Sequence, residues 1–195
     1  MFKLSKRLYD WVLSWAYKKE GALALCFFSS IESIFFPVPP DPLLMALSLG
    51  NRERSLYFAL LCSVCSVLGG LIGYIIGFYF WELTKDFFFA YVFSVSAFER
   101  VSDLYHKNSF FAIFTAGFTP IPYKVFTISA GVFKINVIIF LLASLISRSS
   151  RFFIIALLIK IFGEKIKKFI DKYFNLLTIV FMILLIGGFV ILKNV

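Results

Sequence analysis

Charge is scarce in this sequence. Charged residues make up 16% of the 195 residues, whereas hydrophobic residues make up 61% and the mean hydropathy is +0.90. A water-soluble domain typically carries about 25% charged residues. This composition excludes a soluble globular fold for most of the chain, and we expect lipid to cover much of its surface.

Residues that build catalytic and metal sites are also scarce. The sequence has one histidine, His106, in a polar stretch, and it has no H-E-x-x-H zinc motif and no Walker loop. Cys62 and Cys65 form a C-x-x-C pair inside a long apolar segment, but a structural zinc site needs four ligands. We therefore expect no metal, no cofactor and no enzymatic activity, and we interpret the cysteines as small buried side chains.

The N-terminal segment, residues 1–19, predicts an amphipathic helix at the membrane surface. On a helix, Trp11 and Trp15 share one face with leucines, whereas Lys3 and Arg7 lie opposite. A helix with an aromatic apolar face and a basic polar face is suited to the headgroup region of a bilayer.

Five apolar blocks follow this segment. Three of them, residues 55–81, 135–159 and 174–192, are uninterrupted and long enough to span a bilayer, because about 20 helical residues cross the hydrocarbon. The other two, residues 20–50 and 109–133, are interrupted by prolines. A polar segment at 82–108 is expected outside the cell, and a basic segment begins at residue 160.

The two interrupted blocks predict re-entrant helical hairpins. The prolines that break them are Pro37, Pro39, Pro40, Pro120 and Pro122. Proline cannot donate a backbone hydrogen bond, and each break leaves only about a dozen residues on either side, too few for a full crossing. Broken backbone at membrane depth is tolerated only inside protein or beside a wet cavity.

Basic residues predict that the two hairpins are inverted. With the N-terminus in the cytoplasm, twelve of the twenty Lys and Arg residues lie on the cytoplasmic side, including Arg52, Arg54 and those of 160–172. This distribution agrees with the positive-inside rule. It also explains the net charge of +9 without a nucleic acid partner. One hairpin then enters from each face, in a core of two inverted repeats spanning residues 20–159.

Five ionisable residues are expected at membrane depth: Glu32, Asp41, Lys124, Arg148 and Arg151. Each costs at least about 2.5–3.5 kcal/mol to insert, so each is a candidate functional residue. One interpretation is a salt-bridge network that only holds the hairpins together. The other is a wet cavity whose excess positive charge attracts an anionic headgroup, aided by the N-termini of the half-helices.

Three motifs carry a resemblance to a known family. They are E-S-I-F-F-P-V-P-P-D at 32–41, G-F-T-P-I-P-Y-K-V-F-T-I-S-A-G at 117–131 and S-R-S-S-R-F-F at 147–153. Over residues 22–159 the chain resembles the YqaA branch of the bacterial DedA membrane proteins, within the wider VTT or "SNARE-associated" group. Many DedA members carry arginines where this chain has Gly117 and Tyr123, and Lys124 lies one residue further on.

The resemblance implies two re-entrant hairpins and lipid translocation. Characterised DedA relatives are linked to recycling undecaprenyl phosphate, distant eukaryotic relatives to lipid scrambling, and proton-motive force has been proposed as the driver. By this resemblance the expected substrate is a polyprenyl phosphate or another anionic lipid. Glu32 and Asp41 are then the proton-responsive acids, and the three basic residues contact the headgroup or gate the cavity.

We therefore expect an all-α integral protein of the bacterial inner membrane with its N-terminus in the cytoplasm. It should have two inverted re-entrant hairpins, three spanning helices and an interfacial N-terminal helix. Its partners are expected to be membrane lipids, through an anionic headgroup, and an oligomer is compatible with the sequence. The alternatives are a non-transporting membrane scaffold or assembly factor, and a small-ion antiporter.

Overall fold

The computed structural model describes Trp11 and residues 14–92, 94–119 and 121–163. Within these residues the chain forms one turn of 3-10 helix and six α-helices, without a β-strand. The helices are α1 (Gly21–Glu32), α2 (Asp41–Gly50), α3 (Ser55–Tyr91), α4 (Val95–Phe118), α5 (Tyr123–Val132) and α6 (Val137–Phe162). Most of the predicted interfacial helix at 1–19, and all of the predicted spanning helix at 174–192, lie outside the described residues.

Two helices, α3 and α6, are long and apolar enough to cross a membrane. Helix α3 has 37 residues and continues ten residues beyond the predicted end at 81. In this extension, Glu82 and Lys85 lie one turn apart and form an ion pair. The ring of Trp81 also contacts the rings of Phe89 and Phe98. The polar segment at 82–108 is thus mostly helical, formed by the end of α3 and the first part of α4.

Four shorter helical pieces flank the two proline breaks. Helices α1 and α2 surround the first break, and the last part of α4 and α5 surround the second. Helix α4 is kinked at Asn108, whose backbone is non-helical, so its last ten residues form a separate half-helix. Helix α2 begins at Asp41, so Asp41 and Pro42 lie in the first turn of a helix and the break ends at Pro40. Proline and acidic residues both suit that position.

The short helices pack on the long ones in a two-fold pattern. Helices α1 and α5 contact α3, helices α2 and α4 contact α6, and α3 and α6 contact each other. The hydroxyl groups of Ser29 and Ser30 donate to carbonyls in the first half of α3, whereas Gly131 of α5 packs against Tyr74 and Phe78 in its second half. Helix α1 thus packs on the first half of α3 and helix α5 on its second half, and the two breaks face each other between these contacts, where the Thr127 hydroxyl donates to the Ser33 carbonyl.

Glycines on α3 allow this close approach. A Cβ at Gly69 would collide with the carbonyl group of Ser30 in α1, and a Cβ at Gly77 would collide with that of Ile128 in α5. These glycines give α3 a groove into which α1 and α5 pack, as small residues do between membrane helices.

Replacing Gly69 by alanine should destabilise the protein, although alanine favours helix. The added methyl group meets backbone atoms of Ser30, which cannot rotate away, and overpacking of this kind costs about 1–3 kcal/mol. The matched control is Gly50→Ala, because nothing lies within 4 Å of a Cβ at that position. The measurement is the thermal midpoint of both variants in detergent. Equal midpoints would show that α1 and α3 do not pack this closely.

Candidate functional site

The two proline breaks enclose a cavity of about 260 Å³. The charged residues that line it are Glu32, Asp41, Lys124, Arg148 and Arg151. They are the same five ionisable residues that the sequence predicted at membrane depth. Its apolar lining comes from both breaks: Phe36, Pro37, Pro39, Ile121 and Pro122. Residues nearly 120 positions apart therefore form one site.

Arg148 lies at the bottom of the cavity, with 2% of its side chain exposed. Its Nη2 donates to a carboxylate oxygen of Glu32 at 2.7 Å, and its Nε donates to the hydroxyl of Ser66 at 2.6 Å. The rings of Tyr123 and Phe152 lie 4.9 and 4.8 Å from the guanidinium carbon. A buried charge needs such partners, because removing an ion from water costs several kcal/mol.

Arg151 connects the two breaks. Its Nε and Nη2 donate to the two carboxylate oxygens of Asp41 at 2.9 and 2.8 Å, a bidentate pair. Its Nη1 donates to the carbonyl oxygen of Thr119 at 2.9 Å. Bidentate pairs of this kind are among the stronger and more directional hydrogen bonds in proteins. One side chain of α6 thus holds the start of α2 and the end of α4 together.

Lys124 makes the reciprocal connection from the second break to the first. Its Nζ donates to the carbonyl oxygen of Phe36 at 3.0 Å and, more weakly, to that of Phe35 at 3.4 Å. Nearby, the Thr127 hydroxyl is 3.2 Å from the Ser33 carbonyl oxygen. Carbonyls after a helix end lack helical partners and carry partial negative charge, so a lysine suits this place. Among the described residues that line the cavity, Lys124 is the cation without a carboxylate partner.

The proline residues of the two breaks have different positions. Pro37, Pro39 and Pro122 are exposed and line the cavity, whereas Pro40 is buried immediately before α2. Pro120 lies outside the described residues. The three exposed prolines thus form part of the cavity wall.

Arg148 lies next to two positions at which many DedA proteins carry arginine. In this chain those positions are Gly117 and Tyr123. A Cβ at Gly117 would meet the side chains of Ser147 and Arg148, and the Tyr123 ring lies against the guanidinium group. An arginine from α6 therefore occupies space next to both positions. The sequence did not indicate this arrangement, because the residues come from different helices.

Ser66 was also missed as a partner of Arg148. Its hydroxyl is 2.8 Å from that of Ser33 and completes the chain from α1 through α3 to Arg148. The available signal was the repetition of hydroxyl residues in two apolar segments, at Ser29 on α1 and Ser33 immediately after it, and at Ser63 and Ser66 on α3.

His106 and the cysteines lie apart from the cavity. The Nε2 atom of exposed His106 is 2.8 Å from the Phe133 carbonyl oxygen, which ties α4 to the end of α5. The buried thiol of Cys62 is 3.3 Å from the Ser29 hydroxyl, in agreement with a packing role. The described part of the chain holds no group of three or more potential metal ligands.

Comparisons with known proteins identify a family. The model of the VTT domain matches residues 38–161. An uncharacterized protein of Haemophilus influenzae is 33% identical over 192 residues, which cover 98% of this chain and all of that protein. A second uncharacterized protein, from Histophilus somni, is 32% identical over 163 residues, which cover 84% of this chain and 85% of that protein. No solved structure matches significantly.

Proposed function

This chain belongs to the VTT-domain family of membrane proteins, and on that premise we propose that it moves lipids with a negatively charged headgroup between the two leaflets. The observation that carries the proposal is the charged cavity between the two proline breaks. A scaffold has no need for such a cavity at this depth. The expected location is the bacterial inner membrane.

The proposed membrane arrangement is a core, residues 20–159, with two inverted re-entrant hairpins. Helices α3 and α6 span the bilayer, together with the predicted helix at 174–192. The first break packs near the middle of the apolar part of α3, residues 55–81, where Ser33 meets Ser66, and Arg148 lies near the middle of α6. Both breaks then lie near the bilayer midplane, where a headgroup has to cross the region of highest cost.

The proposed roles follow from the contacts. Glu32 and Asp41 hold the two arginines, and protonation of either acid would release its arginine and loosen one hairpin tip. Arg148 and Arg151 gate the cavity from α6. Lys124, held by neutral carbonyls alone, contacts the headgroup. No step of this process makes or breaks a covalent bond.

Single cysteines at the open ends of the hairpins test the inverted arrangement. Lys19 and Glu53 flank the first hairpin, Lys107 and Lys134 flank the second, and all four are exposed. In intact cells a membrane-impermeant maleimide should label Lys107→Cys and Lys134→Cys, but Lys19→Cys and Glu53→Cys only after permeabilisation. If the two sites of either hairpin label from different sides, that hairpin crosses the membrane and is not re-entrant.

A scaffold is the second candidate, because four of the five cavity charges are already paired with each other. The deciding experiment uses purified protein in vesicles that contain a phosphatidylglycerol carrying a fluorophore on one acyl chain. A membrane-impermeant reductant bleaches the outer leaflet, and further bleaching reports lipids that arrive from the inner leaflet. A translocator should accelerate this second phase relative to protein-free vesicles, whereas a scaffold should leave it unchanged.

A further inference from the structure

We infer that the cavity admits only the headgroup of its lipid and selects headgroups with a single negative charge, whatever chains they carry. The inference rests on the proposed function and adds the chemical class of the substrate. Three properties of the cavity support it: its size, the placement of its polar and apolar residues, and its charge.

The size of the cavity limits what enters it. Its volume of about 260 Å³ lies below the roughly 300–1,000 Å³ of pockets that enclose drug-sized ligands. A lipid with one or more long chains is much larger than such a ligand. The chains must therefore stay outside the cavity while the headgroup is inside.

The cavity has a charged floor and an apolar rim. The side chains of Glu32 and Asp41 are each 14% exposed and that of Arg148 is 2% exposed, whereas Pro37 and Pro122 are exposed. Two aromatic side chains close to the breaks in sequence, Phe35 and Phe118, are also exposed, with exposed fractions of 68% and 40%. Apolar surface at this depth can contact any hydrocarbon chain equally well, since it offers no hydrogen-bond partner that would distinguish one chain from another.

The charge of the cavity selects the headgroup. Glu32 and Asp41 are counted as carboxylates because each accepts hydrogen bonds from a guanidinium group. The two carboxylates contribute two negative charges, and Lys124, Arg148 and Arg151 contribute three positive charges. The cavity therefore has one positive charge in excess. A phosphodiester with one negative charge neutralises the site. A zwitterion leaves the excess uncompensated, and a phosphomonoester, with nearly two negative charges, leaves the site negative. By this count a phosphodiester lipid fits the cavity better than a polyprenyl phosphate, the phosphomonoester that the family resemblance implies.

The test compares three lipids that share one fluorescent acyl chain, in the vesicle assay described above. They are a phosphatidylglycerol, a phosphatidylcholine and a phosphatidic acid. The assay is run at pH 9.5, because a negatively charged bilayer surface raises the second pKa of a phosphomonoester above its usual value near 6, and the phosphatidic acid has to be doubly charged. One unbalanced charge at about 4 Å is worth several kcal/mol near a protein surface, so the phosphatidylglycerol should move at least about tenfold faster than either of the others. Lengthening its second acyl chain should change its rate by less than about twofold, because rim contacts are nonspecific.

Variants that lower or raise the net charge of the cavity should change which of the three lipids moves fastest. Lys124→Gln removes the excess charge, so the preference for phosphatidylglycerol over phosphatidylcholine should disappear. Asp41→Asn raises the excess to two positive charges, so the rate of phosphatidic acid relative to that of phosphatidylglycerol should rise. Lys107→Gln, an exposed lysine outside the cavity, is the control and should leave both ratios unchanged. Ratios measured on one sample do not depend on the folded fraction.

The outcomes separate this inference from the proposed function. If no lipid moves faster than in protein-free vesicles, the proposed function is wrong. If lipids move but their rates follow chain length instead of headgroup charge, selection by charge is wrong and translocation stands. Unchanged ratios in both Lys124→Gln and Asp41→Asn would overturn the inference in the same way.

Discussion

Replacing Arg148 by leucine should remove most of the folded protein. The substitution leaves the Glu32 carboxylate, 14% exposed, without its guanidinium partner and leaves the Ser66 hydroxyl without its donor. Breaking one side of a buried ion pair typically costs about 3–5 kcal/mol, a large share of the roughly 5–15 kcal/mol that stabilises a folded protein. The measurement is the monodisperse fraction of detergent-solubilised protein in size-exclusion chromatography.

The double variant Arg148→Leu with Glu32→Gln should recover much of that loss. It removes both charges together, and uncharged replacements of a buried pair are often close to neutral. Arg100→Leu, at an exposed position of α4, controls for the loss of an arginine as such. If the double variant is no better folded than Arg148→Leu alone, the ion pair does not account for the stability of this region.

Replacing Ile121 by tryptophan should abolish lipid translocation without reducing the amount of folded protein. Ile121 lines the cavity from the second break, is partly exposed and lies outside any helix, so the larger indole can be accommodated by filling the cavity. The rate in the vesicle assay should fall at least about tenfold, equivalent to about 1.4 kcal/mol on the barrier.

The matched control for this variant is Ile138→Trp. Ile138 is 67% exposed on α6, away from the cavity, so it adds the same side chain without obstructing the site. A scaffold predicts that both variants retain function in proportion to their abundance in the membrane. Normal translocation by Ile121→Trp would show that the headgroup does not pass through this cavity.

The proline breaks and the embedded charges were predictable because they depend on local chemistry. A segment with prolines at 37, 39 and 40 cannot continue a helix in any tertiary context, and the helix indeed ends at Glu32 and resumes at Asp41. The insertion cost of a charge is likewise a property of one residue and its apolar neighbours. The five candidate residues could therefore be named from the sequence, although their roles stay predictions.

The length of α3 was not predictable from hydropathy. Hydropathy falls after Trp81, yet the helix continues to Tyr91, with the pair of Glu82 and Lys85 one turn apart and Phe98 of α4 stacked on Trp81. Hydropathy marks where a helix leaves the hydrocarbon, but helix termination depends on capping and on partners. The kink at Asn108, by contrast, falls at the predicted boundary between the polar segment and the second hairpin.

By itself, the sequence determined that the chain needs lipid, where its helices break and which charged residues lie within apolar segments, because those properties depend on composition and on nearest neighbours. Only the tertiary structure decided which charges pair. Two acids and three bases allow several combinations, and the choice of Glu32 for Arg148 and Asp41 for Arg151 joins residues 116 and 110 positions apart. Among the described residues, the partners of the Lys124 ammonium group are the backbone carbonyls of Phe35 and Phe36. Such pairings arise from the packing of α1 and α5 on α3 and of α2 and α4 on α6, which brings together side chains that are far apart in the sequence.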